Sequence, residues 1–379
     1  MYWVKVFRLL PYILALVLIY AVTGCKPNPV SQALPEHLLA PPSFYKPTTF
    51  NREEQPTNCM TFPPYTERLN FPSRYAGSGS KRDQVNPEST QIYLEKTKPI
   101  YDFTQWIANT SDALYSGKSS AYEYTCLINN LHAWAQVNAL LNIADKTGTA
   151  VRKWSLAALS SNYFKLMGLH KTDQALINKR NDIEKWLYTL AWQVKSDYTE
   201  RDPKRVNNHD YWAAWAVIVT SVLSQDKKLY EWAEGVFDDA MNRIDDDGFI
   251  STELRRGSRA AHYHNFALAP LTAMAAFINA NNRLSQDASK KITLAVEIAL
   301  TTLNSTAAFE QETGENQVDP QLQRSGRLAW LPIYLSFAPD KNSLALQHPT
   351  TQSGNSRLGG DTYALYMPDL SPIESGKPL

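Results

Sequence analysis

Apolar residues recur three and four positions apart over most of this chain. In "CLINNLHAWAQVNALLNIAD" they fall at Leu127, Leu131, Trp134, Val137 and Leu141, and in "IEKWLYTLAWQVKSDY" at Ile183, Trp186, Leu187, Leu190 and Val194. Each segment therefore places an apolar stripe along a helix. Similar runs span 211–223, 229–244, 266–280 and 292–303, separated by the short polar breaks "DKTGTA", "HKTDQ", "SQDKK", "DDDG" and "NNRLSQD". Helices joined by loops this short lie antiparallel as neighbours. Strand alternation is not evident, and no repeat of fixed period marks an open solenoid. The pattern predicts an all-α fold: an (α/α) toroid of antiparallel helical hairpins, whose inner helix ends surround a deep groove.

The N-terminus follows a different rule. "MYWVKVFRLLPYILALVLIYAVTGC" places Lys5 and Arg8 ahead of an apolar run from Leu9 to Val22, the layout of a bacterial secretion signal and short for a membrane span. The Val22-Thr23-Gly24-Cys25 ending matches a lipobox, so residues 1–24 are expected to be cut away and Cys25 to carry lipid. An uncleaved helix in the inner membrane is the alternative. Either way the body of the protein lies outside the cytoplasm, and the first reading puts it in the periplasm, anchored to the outer membrane. Residues 25–58 read as a proline-rich tether and irregular arm. A single domain is expected over 59–379, with no packed element needed before Cys59.

Composition narrows the function. Setting Cys25 aside leaves Cys59 and Cys126, one pair, which in an oxidising compartment forms a disulfide; two buried thiols are the alternative. The formal charge of +1 includes Lys5 and Arg8, so the mature chain is close to neutral and is not a nucleic-acid binder. Ten Trp and twenty Tyr against fifteen Gly depart from the average. Rings in that number fill a core or line a groove for flat, polar ligands such as sugars.

Two polar clusters stand at helix entrances, "VNNHDYW" (206–212) and "STELRRGSRAAHYHNFALAPL" (251–271). Free N–H groups and the helix dipole favour anions at such ends. Arginine, amide and imidazole groups gathered there describe a carboxylate or phosphate site. The competing structural explanation has Asn208 capping a helix, His209 satisfied in the core and Arg256 paired with Glu253. A metal is not expected: His262 and His264, two apart on a helix, point in different directions, and "DDDG" lacks the glutamate that would complete a calcium loop. A turn with Gly248 at positive φ explains that run better.

The blocks "NNHDYWAAW", "ELRRGSRAAHYHNFALAPL", "RSGRLAWLPIYL" and "SRLGGDTYALY" resemble, in order, those of the alginate lyases of polysaccharide lyase family 5, the mannuronate-preferring lyases of the periplasm. The likeness runs from about Arg74 to Tyr366. It implies an incomplete (α/α) toroid, a lyase acting without cofactor on an anionic polysaccharide as a monomer, and catalytic roles for Asn208, His209, Arg256 and Tyr263. Cys59 and Cys126 fall where the family's disulfide is expected. The lid segment departs from the family: "SRYAGSG" carries Arg74 where the family has lysine, and the two cations differ in geometry and hydration.

Chemistry and resemblance together give a β-elimination. Asn208, Arg256 and His209 would neutralise a uronate carboxylate, and each preorganised donor of that kind contributes roughly 3 to 4 kcal/mol in other enzymes. Tyr263 would serve as base and acid in turn, its phenol partly ionised by His209 and Arg256; the alternative makes His209 the base. Tyr75, Tyr211 and Trp212, with Trp215 behind them, are candidates for stacking on sugars. Arg74, His262, Arg324, Arg327 and Arg357 are candidates for binding neighbouring sugars and their carboxylates. A non-catalytic polysaccharide-binding protein, or a lyase for another uronate such as glucuronan, remains a competing function. A glycoside hydrolase would need two facing carboxylates, whereas these clusters offer chiefly cations and amides.

Overall fold

The computed structural model of the protein describes residues 33–46, 59–77, 81–82, 84–169, 174–338 and 354–367. The signal segment, Cys25 and the break at 170–173 lie outside them. Helices follow one another as α1 (Pro87–Tyr115), α2 (Ala121–Gln136), α3 (Lys146–Phe164), α4 (Gln174–Thr199), α5 (Asn208–Ser224), α6 (Lys227–Met241), α7 (Ser251–Leu254), α8 (Ala260–Ala280), α9 (Gln286–Thr301), α10 (Ala307–Thr313) and α11 (Leu331–Phe337). A two-residue antiparallel ribbon, β1 (Gly354–Asn355) with β2 (Gly360–Asp361), then leads into α12 (Thr362–Tyr366).

Burial separates two kinds of helix. Helices α6 and α9 bury one stripe, while α3, α5 and α8 are buried around nearly their whole circumference. A helix that is buried all round must be enclosed by other elements. Accordingly α3 packs on α5 and α5 on α8, flanked by α1 and α11, with α2, α4, α6 and α9 outside. This double layer is the expected (α/α) toroid. Its inner layer carries large rings, with Trp212, Trp215, Tyr211 and Tyr163 all buried, and burying such a ring removes about 150–250 Å² from water.

Local chemistry sets where the helices begin. Asp145 caps α3 by accepting from Gly148 N at 2.6 Å, so the break expected at "DKTGTA" is mostly helix. A Cβ on Gly148 would sit 1.9 Å from the Leu69 carbonyl oxygen. Glycine there lets the N-terminal arm run against the start of α3, with Leu69 N donating to Ile143 O and Asp145 N to Leu69 O. Gly248 does adopt positive φ, +92°, in the turn after α6. Helix α5 is capped by Asn207 rather than Asn208: the Asn207 side chain accepts from His209 N, and Asp210 reciprocates by accepting from Asn207 N.

The body starts earlier than the expected boundary at Cys59. Its contacts begin at Leu34, and Leu38, Ala40 and Phe44 are buried. The Phe44 ring lies 5.5 Å from Phe164, 5.3 Å from Phe277 and 5.6 Å from Tyr366, packed where α3, α8 and α12 meet. Proline-rich composition masked this, because isolated apolar residues between prolines show no helical period.

Cys59 and Cys126 are joined, their Cα atoms 5.6 Å apart, and the bond ties the arm to α2. Asn130 reinforces it, donating to Met60 O and accepting from Phe62 N, both at 2.9 Å, and Trp134 Nε1 donates to Phe62 O. Closing a loop with a sequence separation of 67 stabilises a fold by about 4 kcal/mol on the chain-entropy view. A Cys59→Ser, Cys126→Ser variant should lose about that much unfolding free energy in urea titrations. Wild-type stability in the variant would mean that Asn130 and Trp134 hold the arm unaided.

Candidate active site

The N-terminal turn of α5 carries two of the expected residues. Asn208 is fully buried; its backbone N donates to Glu253 Oε1 at 2.7 Å and its Nδ2 to Glu253 Oε2 at 2.9 Å. Its Oδ1 is buried without a partner, an acceptor whose desolvation costs about 1–3 kcal/mol until something donates to it. His209, the next residue, is half-buried, with Nδ1 2.7 Å from Lys153 Nζ on α3 and its ring 5.7 Å from that of Trp154. Burial first, then the charges of Lys153, Arg256, Arg201 and Arg82, hold its imidazolium well below the usual range, so the ring is neutral near pH 7. The turn is anchored from behind by Asp210, which takes Arg201 Nη1 at 2.6 Å.

The second cluster meets the first through Glu253. Arg256 Nε lies 3.5 Å from Glu253 Oε2, and the Arg256 guanidinium stands over the Tyr263 ring, 4.3 Å from its centroid. The Arg256–Glu253 pairing offered as a structural explanation is present, whereas Asn208 does not cap α5 but shares the same carboxylate. Burial raises the Glu253 pKa, opposed by Arg256 and by the Asn208 hydrogen bonds. Tyr263 is buried and its hydroxyl lies 2.9 Å from that of Tyr75 on the arm. Arg259 lies over both rings, 5.4 Å from the centroid of Tyr263 and 5.6 Å from that of Tyr75. The phenol departs from expectation in one respect: its pKa is raised rather than lowered. Burial and the Tyr75 hydroxyl outweigh Arg256 and Arg259, so the resting side chain is protonated.

The remaining candidates divide. Arg357, in the turn between β1 and β2, lies 4.5 Å from the Trp154 ring, 5.9 Å from Trp212 and 5.7 Å from Tyr101. That turn is pinned by Trp215 Nε1 donating to Arg357 O, by Asn162 Nδ2 donating to Ser356 O, and by buried Lys165, which pairs with Asp112 and donates to Gly359 O. His262, Arg327 and Arg324 stand together with Arg259; burial and the Arg327 and Arg259 charges lower the His262 pKa to about 4. Arg74 is exposed and lies over the Tyr93 ring at 5.8 Å.

The stacking candidates on α5 are core residues. Tyr211 is buried with its hydroxyl 3.0 Å from Thr252 Oγ1, Trp212 is 1% exposed against Phe266, and Trp215 is spent on the ribbon. An all-round buried helix leaves no face for sugars, which is why the spacing misled. His264 is also structural, its Nε2 2.9 Å from Ala295 O. It and His262 do not converge, and no group of three metal-ligating side chains occurs among the described residues.

Sequence reasoning missed Lys153, Trp154 and Arg82. Arg82 lies over Tyr75 at 5.9 Å and donates to Ser73 Oγ, holding the arm beside the site. Trp154 lies between His209 and Arg357, its Nε1 buried without a partner. The available signal was "RKW": Lys153 occupies the same helical stripe as Ala150, Leu156 and Ala157, all buried, and a lysine on a buried stripe is rarely there for packing alone.

An (α/α) toroid with guanidinium, amide, imidazole and phenol groups gathered at its inner helix ends is a polysaccharide lyase of the toroid class. The protein-family model for alginate lyase matches residues 70–308, and the chain belongs to that family. The alginate lyase of Pseudomonas syringae pv. tomato is 32% identical over 325 residues, 84% of this chain and 85% of its own. The crystal structure of alginate lyase A1-III from Sphingomonas species A1 is similar with a TM-score of 0.68 at 25% identity, covering 84% of this chain and 88% of that one. The same enzyme complexed with a tetrasaccharide, as a tyrosine-to-phenylalanine variant, gives a TM-score of 0.71 at 24% identity over 89% of this chain and 91% of that one.

Proposed function

We propose that the protein cleaves alginate at poly-β-D-mannuronate by β-elimination, leaving a 4,5-unsaturated uronate end. The observation that carries this reading is the Tyr263 phenol held between Arg256 and Arg259, beside an α5 turn that offers Asn208 and His209. The C5 proton of a uronate is weakly acidic, and the charge left by its removal spreads into the adjoining carboxylate. Fixed donors that meet this charge lower the barrier most when they need no reorganisation. Arg256 and the second Nδ2 proton of Asn208 supply them, with Glu253 fixing both side chains from behind.

In β-mannuronate the C5 proton and O4 lie on one side of the ring, so a single group serves both steps. The Tyr263 phenolate takes the C5 proton, the electron pair forms the C4–C5 double bond, the C4–O4 bond breaks, and the phenol returns its proton to O4. The phenolate is the minor form at rest, because burial and Tyr75 disfavour it. Activity therefore rises with pH while that form accumulates. The outlying cations Arg357, Arg324 and Arg327 suit carboxylates of neighbouring sugars, and the indole of Trp154 suits a sugar hydroxyl or face.

The signal sequence reading places this activity in the periplasm, on a protein lipid-anchored to the outer membrane through Cys25. Alginate entering that compartment is its substrate, and the protein works as a monomer.

Four measurements test the proposal. Incubation with defined poly-mannuronate, poly-guluronate and glucuronan should give the ultraviolet rise of unsaturated product with poly-mannuronate first; a faster rise with either of the others would reassign the substrate. Tyr263→Phe should lower that rate by roughly 10²–10⁴-fold, and near-normal turnover would remove Tyr263 from the chemistry. Tyr75→Phe removes one cause of the raised phenol pKa, so its rate-versus-pH curve should climb at lower pH than that of the wild type; an unmoved curve would mean another group titrates. Intact mass of the membrane-extracted protein should equal the chain from Cys25 plus lipid, and an unlipidated or uncut mass would refute the anchor.

A further inference from the structure

Lys153 is 0% exposed, and among the described residues its Nζ hydrogen-bonds with Tyr198 and His209. Its Nζ lies between two rings, 4.8 Å from that of Trp154 and 4.7 Å from that of Tyr198, and donates to Tyr198 Oη at 2.8 Å. The carboxylates whose charge it feels, Asp210 and Asp197, are bonded to other cations, Arg201 and Arg152 respectively, each at 2.6 Å. A lysine buried this way costs several kcal/mol relative to one in water, and packing alone would be served better by methionine or leucine. Its remaining close polar contact is His209 Nδ1, at 2.7 Å.

We propose that Lys153 is a positioning residue that fixes the tautomer of His209, donating to Nδ1 so that the ring proton sits on Nε2. One proton lies between Nζ and Nδ1. An ammonium has donors and no acceptor, so opposite it Nδ1 must accept. An amine at Lys153 keeps two hydrogens, one for Tyr198 and one for Nδ1, so the same arrangement stays open to it, although only the ammonium forbids the reverse. Protonating the ring is opposed by burial and by every cation around the pair. The groups facing it are Tyr198 and Asp197 of α4, Asp210 of α5, Arg201 ahead of α5, Arg256, Arg82 of the arm and Arg357 of the ribbon.

The functional consequence rests on the lyase reading. A neutral imidazole locked as Nε2–H gives the groove a donor and offers it no lone pair. His209 then hydrogen-bonds the uronate carboxylate and cannot take the C5 proton, which leaves that transfer to Tyr263. Lys153 thereby settles which of two candidate bases acts without touching the substrate.

The test reads the tautomer directly. Protein labelled with ¹⁵N-histidine, with His209 assigned by a His209→Gln variant, should show a pyridine-like Nδ1 and a pyrrole-like Nε2 at rest near neutral pH. Lys153→Met should mix the tautomers, let the ring titrate nearer its ordinary pKa of about 6.5, and lower kcat roughly 100-fold with little change in KM. Lys153→Gln retains an N–H donor without the charge, and should keep the Nε2–H tautomer and recover most of kcat. A protonated Nδ1 in the wild type would overturn the proposal, as would an unaltered kcat and pH profile in Lys153→Met. Should the methionine variant fail to fold, the wild-type and glutamine spectra decide alone. These spectra need no substrate, so a protein that cuts no uronate polymer would sink the lyase reading while leaving the tautomer measured.

Discussion

Everything at the site depends on one buried carboxylate. Glu253 is fully enclosed at the end of α7 and accepts from the Asn208 backbone and side chain while pairing with Arg256. A carboxylate taken out of water is costly, and it persists only where its oxygens are met by good donors. Here those donors are the residues to which the proposed elimination assigns the substrate carboxylate. Satisfying Glu253 and positioning Asn208 and Arg256 are therefore one event, and it joins the start of α5 to the segment that opens α8.

The same economy appears at the periphery. Buried Lys165, held by Asp112 and by Gly359 O, secures the ribbon that carries Arg357 over Trp154. The arm fixed by the Cys59–Cys126 bond and by Gly148 brings Tyr75 onto Tyr263. Each catalytic candidate is set by an element whose own anchoring lies elsewhere, as a site that must be rigid before its substrate arrives requires. The toroid supplies the reason these anchors converge: α5 packs on both α3 and α8, so Lys153 of α3 reaches His209 while the segment that opens α8 reaches Asn208 through Glu253.

Electrostatics near Tyr263 show how context reverses a simple argument. Two guanidinium groups over the ring would ordinarily favour phenolate. Burial and a second phenol within hydrogen-bond distance outweigh them, because desolvation acts on the whole charge whereas a cation stacked on the ring face meets the oxygen only at a distance. His209 is also held in its neutral form, but there the charges of Lys153, Arg256, Arg201 and Arg82 act with burial rather than against it. The two groups thus rest as neutral partners, one a phenol and one an imidazole.

Helical periodicity alone determined the fold class, the order of hairpins and the two polar entrances, because a helix with one face in water repeats its apolar residues every three to four positions. Chemistry-bearing residues were legible as types: amide, imidazole, arginine and tyrosine stand out at helix starts. What only the tertiary structure decided was which of them meet, and in what state. Asn207 rather than Asn208 became the cap; Tyr211, Trp212 and Trp215 became core because α5 is enclosed on every side; the proline-rich arm contributed Phe44 to the core; and Lys153 reached His209 across two helices. Those outcomes depend on contacts between residues far apart in the chain, and a local pattern carries no record of the distance at which two helices finally pack.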